Sequence, residues 1–318
     1  MVVISDIIVQ GVQMLLVLLL APLLTGYVRK IKARLVRRQG ASVFQPYRDL
    51  LRLLRKEVVL ADNASWLFRV TPYITFAAIW VAAALVPTFA TGLLFNWTAD
   101  LIAIVALLGS ARFFLALAGM DVGTSFGGIG SSREAMIAML AEPALIMIVF
   151  TLALIAGSTQ LSTIAAIMLT PGVGLRISLG LALIALIIVA IAENGRIPVD
   201  NPATHLELTM VHEAMVLEYS GRHLALIELA AAIKLLLYAS LIACVFVPWG
   251  MAPAGAPLHV HLIGGVVYIA KLGVAGLLLA VFETTIAKMR VFRVPDLLGA
   301  ALMLGFLGTL LRFVSRGM

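Results

Sequence analysis

Two kinds of sequence meet at Glu193. Residues 179–192, LGLALIALIIVAIA, carry no charge, while residues 193–221, ENGRIPVDNPATHLELTMVHEAMVLEYSG, gather five carboxylates (Glu193, Asp200, Glu207, Glu213, Glu218) and two histidines (His205, His212). The first run has the composition of a membrane span and the second that of a connection outside the hydrocarbon. How often the chain repeats the first kind decides the fold.

It repeats it throughout. Of 318 residues, 62% are hydrophobic and 12% charged, against roughly 25% charged in soluble chains. Mean hydropathy is +1.09. Eight apolar helices are expected, over 4–27, 70–92, 99–120, 134–157, 173–193, 223–248, 264–287 and 295–314. At 1.5 Å per residue each suffices to cross about 30 Å of hydrocarbon. The fold class is therefore all-α: a polytopic integral membrane protein, one membrane domain over 1–318. The first apolar stretch, Val12–Tyr27, has no basic flank before it and no A-x-A pattern after it, so it reads as a span rather than a cleaved leader. Cys244 is the single cysteine, which excludes an internal disulfide and a thiolate-held metal or iron–sulfur centre.

Net charge is +7, and eleven of the 23 Lys and Arg fall between Arg29 and Arg69. Placed just after a span, they are a topology signal rather than a nucleic-acid signal. With 28–69 in the cytoplasm, 121–133, 194–222 and 288–294 fall there too, bringing Arg133, Arg196, Arg222, Lys288, Arg290 and Arg293. The outer connections keep only Arg176, and both termini lie outside. In the basic loop, YRDLLRLLRKEVV is amphipathic: Tyr47, Leu50, Leu51, Leu54 and Val58 share a face opposite Arg48, Arg52, Arg55 and Lys56. Such a helix suits a lipid surface, a docking partner, or both. In the acidic loop, Asn201-Pro202 is a helix start and Gly221 a stop, giving an expected helix of about 18 residues. That helix places Glu207 and Glu218 on one stripe and the two histidines nearly opposite. Glu213 falls among Leu206, Met210 and Leu217.

HEAMV at 212–216 begins like a zinc-protease motif but has Val216 where the second histidine belongs. His205 and His212 lie about 10.5 Å apart along a helix, so no metal site is expected. GTSFGGIG at 123–130 lacks the P-loop Lys and reads as a flexible connection. Charges within spans are more telling: Arg112, Glu142, Glu228, Lys234, Lys271 and Glu283. Each costs about 2.5–3.5 kcal/mol or more at a span's centre, so they pair with one another or line a hydrated proton route. Both readings use the same residues. Arg112, close to a span's inner end, is expected to snorkel. Glu142 precedes Pro143, which frees a backbone carbonyl and opens a polar notch.

RRQGASVFQPYRDLLRLLRKE (37–57) and the frame AENGRIPVDNP…EYSG resemble the superfamily of complex I subunit 1, a membrane subunit of NADH dehydrogenase, over nearly the whole chain. GMDVGTSFGGIGSSREAM (119–136) and LAEPALI (140–146) resemble its membrane-bound NiFe hydrogenase branch, the formate hydrogenlyase subunit 4 and hydrogenase-4 component C type. The resemblance implies a prokaryotic inner-membrane anchor without a cofactor of its own. Its implied partners are NiFe hydrogenase large and small subunits, iron–sulfur subunits that hold the clusters, antiporter-like membrane subunits and lipid. It implies an acidic proton-transfer chain of Glu142, Glu193, Asp200, Glu207, Glu213, Glu218 and Glu228, extended by Lys234, Lys271 and Glu283. Arg48, Asp49, Arg52, Arg133, Arg196, His205 and His212 are then candidates for the partner interface. A quinone-binding subunit of a complex I-type dehydrogenase is the alternative. RRQGAS lacks the Gly-Pro-rich extension of those subunits, and His205, His212 and Glu213 depart from their pattern. A lone transporter predicts an internal repeat, and none is evident. A purely structural anchor remains a third reading.

Overall fold

The computed structural model describes residues 2–91, 93–95, 97–169, 177–200, 210–253 and 255–317, with side chains from Ile7 to Val314. Among them are eleven α-helices and no strand. In chain order they are α1 (Val2–Leu35), α2 (Gln45–Leu54), α3 (Trp66–Leu85), α4 (Leu101–Asp121), α5 (Ser125–Ala156), α6 (Leu161–Met168), α7 (Ile177–Glu193), α8 (His212–Val216), α9 (Gly221–Phe246), α10 (Leu258–Thr285) and α11 (Val294–Gly317). Each expected span is matched by a helix. Seven are long and apolar enough to cross a membrane, and the described part of the eighth, α7, is a shorter apolar helix of 17 residues.

α9 is the most enclosed span, and α10 and α11 the least. α9 packs on α1, α3 and α7, while α11 lies along α5 and α7. Where α3 stops at Leu85, its last carbonyls are buried and need donors. Gln13 on α1 supplies them, donating to Ala84 O at 3.0 Å and Val86 O at 2.8 Å, with Gln10 also on Ala84 O at 3.1 Å.

The connections sort into two ends, as the charge pattern requires. At the basic end, Ser65 N donates to Asp121 Oδ2 at 2.8 Å, Asn63 to Val122 O at 2.7 Å, and Met289 N to Pro198 O at 2.9 Å. These bonds tie all four expected cytoplasmic connections together in pairs. At the other end, single β-bridges join Ala90 to Ala252 and Asp100 to Gln160.

Several expectations are corrected. GTSFGGIG is not a flexible connection. From Ser125 it is the first turns of α5, capped by Thr124, whose side chain accepts from Gly127 N. Its glycines serve close approach instead: a Cβ on Gly127 would collide with Gly119 O, and one on Gly130 would lie 2.9 Å from both Val211 O and Ala214 Cβ. The amphipathic helix ends at Leu54, so Val58 and Lys56 lie beyond it. Of the expected helix between Asn201 and Gly221, residues 201–209 lie outside the described residues, and the remainder is helical only from His212 to Val216. Tyr219 and Ser220 leave the helix because other partners hold them. Tyr219 stacks on Phe68 with ring centroids 3.9 Å apart and donates to Phe68 O at 3.0 Å. Ser220 Oγ accepts from Val59 N and donates to Val59 O, both at 2.8 Å. Gly221 does not stop a helix but opens α9, at φ 54°, a value that favours glycine. α6, unforeseen, occupies the connection after α5.

Candidate functional site

The charges inside the spans converge. Arg112 on α4 does not snorkel; only 6% of it is exposed. Its guanidinium forms a tight pair with Glu193 at the end of α7, and lies 3.6 Å from each of Glu134 and Glu142 on α5. On the other side of Glu193, Lys234 Nζ of α9 lies 2.8 Å from Oε2. Two cations and three carboxylates from four helices thus form one cluster. Burial of an ion costs several kcal/mol even after relaxation, and mutual pairing offsets that cost.

The cluster borders a cavity of about 70 Å³, walled by Arg112, Glu134, Glu193, Asp200, His212 and Lys234 among others. It has room for a few waters among polar groups. Toward the basic end lies a second cavity of about 410 Å³, lined by Arg29 and Lys32 of α1, Arg196, Glu213, and Glu228 of α9. Asn194, His212 and Ala231 belong to both walls. On the opposite flank Glu142, with 43% of its side chain exposed, reaches an apolar groove of about 650 Å³ between α4 and α5.

Two further buried carboxylates have cationic partners nearby. Glu283 on α10, nearly fully buried, meets Lys32 at 2.5 Å and Arg196 at 3.6 Å. Burial pushes the Arg196 guanidinium below its usual value, and the neighbouring carboxylate of Glu283 opposes that shift. Asp200, also buried, accepts from Lys288 at 3.0 Å. Among the described residues no group of three or more His, Cys, Asp or Glu is arranged to hold a metal ion.

The sequence that builds these cavities matches a known family. The profile of the NADH dehydrogenase family matches residues 8–312. The chain belongs to that family. It is 35% identical over 309 residues to formate hydrogenlyase subunit 4 of Escherichia coli (strain K12), covering 96% of each chain. It is 36% identical over 278 residues to hydrogenase-4 component C of the same organism, covering 87% of each. Among solved structures it is similar to a chain of the membrane-bound sulfane sulfur reductase, an archaeal respiratory membrane complex. That match has a TM-score of 0.81 at 20% identity and covers 97% of this chain and 99% of the other. The likeness extends to the whole fold.

Within this family member, Glu142, Glu193 and Lys234 meet in the cluster, and Glu213 and Glu228 share the outer cavity. Glu213 therefore faces charged groups rather than the apolar neighbours expected of it. Glu218 is exposed on the turn after α8 and lines neither cavity. Lys271 is remote from the cluster: it donates to Val247 O at 2.5 Å, just past the end of α9. Of the interface candidates, Arg48 and Arg52 are exposed on α2, with Asp49 3.2 Å from Arg52. Arg133 points inward to Met210 O at 2.6 Å, and Arg196 and His212 line cavities. Glu207 and His205 lie outside the described residues. Sequence reasoning missed Glu134. It stands eight residues before Glu142, two turns away on the same helical stripe, and that spacing was the signal.

Proposed function

We propose that this chain is the membrane anchor subunit of an energy-converting NiFe hydrogenase complex of the formate hydrogenlyase type, in the inner membrane of a prokaryote. Its basic end faces the cytoplasm. There the segments 28–69 and 194–222 hold a soluble arm whose subunits carry the NiFe centre and the iron–sulfur clusters. The anchor itself performs no bond chemistry. Its carboxylates translate charge changes near that arm into proton movement toward neighbouring antiporter-like membrane subunits.

One observation carries the reading: an ordered sequence of titratable groups runs from the basic end to the middle of the spans. It begins with Glu213 and Glu228 in the outer cavity and continues to Glu193, Lys234 and Glu134 at the inner one. It ends with Glu142 at the side of the bundle. Closely spaced titratable groups shift one another's proton affinity, which is how a row of them passes protons. The similarity to formate hydrogenlyase subunit 4 along nearly its full length supports the choice of complex. The charged lining of the outer cavity also differs from the mostly apolar walls that bind ring-shaped organic ligands, which argues against a quinone chamber there.

The test is purification from native membranes through a tag on this chain. NiFe large and small subunits with iron–sulfur proteins are expected to co-elute. Co-elution with NADH-binding subunits, or elution alone, overturns the assignment.

A further inference from the structure

The two cavities share three wall residues, here termed the neck, and among them one side chain is titratable. We infer that His212 passes protons between the outer cavity and the buried cluster. This inference rests on the proton-coupling role proposed above and adds to it the point of passage.

The three residues common to both walls are Asn194, His212 and Ala231. The amide nitrogen of Asn194 is held by Ala190 O at 2.7 Å, and Ala231 has nothing to titrate. His212 opens α8 and sits in a tightly packed surround. Arg133 holds Met210 O at 2.6 Å, and Gly130 backs so closely on Val211 O and Ala214 that even a methyl group would collide. The imidazole is thus placed by rigid backbone rather than by a loose loop.

Charged residues from several elements line the cavities on either side of it. On the outer side stand Glu213 beside it on α8, Glu228 on α9, Arg29 and Lys32 on α1, and Arg196 after α7. On the inner side stand Glu193, Asp200, Lys234, Arg112 and Glu134. Glu228 and Lys234 are six residues apart on α9, about 9 Å of rise, with Ala231 midway. That gap is too long for one hydrogen bond and suits one bridging group with water. Imidazole fits the task because one nitrogen can accept a proton while the other releases one, with no net change in the ring. Alanine at 231 leaves the space that the water needs.

The experiment uses the complete complex in sealed membrane vesicles, with hydrogen turnover and vesicle pH change recorded together. His212→Gln, Ala231→Leu and Glu193→Gln are compared, each first checked for intact subunit composition. His212→Gln is expected to slow proton movement about a hundredfold, the scale of a positioned proton-transfer group, and added imidazole to restore part of it. Ala231→Leu, which removes no titratable group, is expected to block movement with no response to imidazole. If Glu193→Gln stops coupling while both neck variants keep the normal proton-to-electron ratio, the neck assignment is wrong and the relay stands. If Ala231→Leu blocks and His212→Gln does not, water alone carries the proton and the histidine has no part. If all three leave coupling unchanged, the relay reading itself fails.

Discussion

Lys234 of α9 and Glu193 of α7 approach to 2.8 Å within the spans, and the same carboxylate is paired on its other side with Arg112. Glu193 is thus the common anion of two cations. Removing it by Glu193→Ala leaves both without their nearest partner. The expected cost is about 3–5 kcal/mol, the penalty for stranding a buried charge. Thermal unfolding of the detergent-purified protein measures it. Arg112→Met combined with Glu193→Leu should lose less than the sum of the single variants, because the two residues act as a unit.

Lys271 offers a sharper choice between pairing and relay. Its ammonium donates to Val247 O beyond the last turn of α9, where a positive charge also suits the helix dipole. Lys271→Met is expected to reduce stability by about 1.5–3 kcal/mol, the range for a hydrogen bond to a charged group, while proton coupling stays normal. Loss of coupling at normal stability would return Lys271 to the relay.

The junction of the two basic-end segments depends on Gly221. Its φ is 54°, and a Cβ there would lie 2.6 Å from Glu57 O. Gly221→Ala is therefore expected to free residues 56–60 from Ser220. Limited proteolysis should cut there faster than in the parent chain, with the spans unaffected.

Tyr219 lends the same junction a dependence on alkaline pH. Burial, assisted by the charge of Asp121, raises its phenol above the ordinary value of 10.0. A raised acid favours the neutral form when folded. Its contribution is complete below pH 10.0 and is lost as pH rises through the higher folded value. Protease sensitivity at 56–66 should increase in that alkaline window, and Tyr219→Phe, which cannot ionise, should abolish the transition.

The spans were legible because hydropathy over some twenty residues is a strong and local signal, and the two ends because Lys and Arg are so unevenly distributed. The limits of that reading are equally physical. GTSFGGIG looked flexible, since one chain alone does not show that Gly127 and Gly130 lie against Gly119 and Val211. Arg112 looked superficial from its position in α4, although three carboxylates from α5 and α7 surround it. The helix expected to run to Ser220 ends at Val216 because Phe68 and Val59, distant in sequence, bind the residues that follow. Candidate residues were thus found by type, while their grouping depended on which helices are neighbours.

Glu142 gives the assembly a built-in test of completeness. Glu193 is insulated, with 1% of its side chain exposed, whereas Glu142, midway along α5, leaves 43% bare on the flank of the bundle. A polar carboxyl group facing hydrocarbon is costly. A solitary copy therefore bears a penalty that a neighbour covering the α4–α5 flank removes. Orphan copies are the less comfortable state in lipid, because this carboxyl group stays bare until a neighbour covers it.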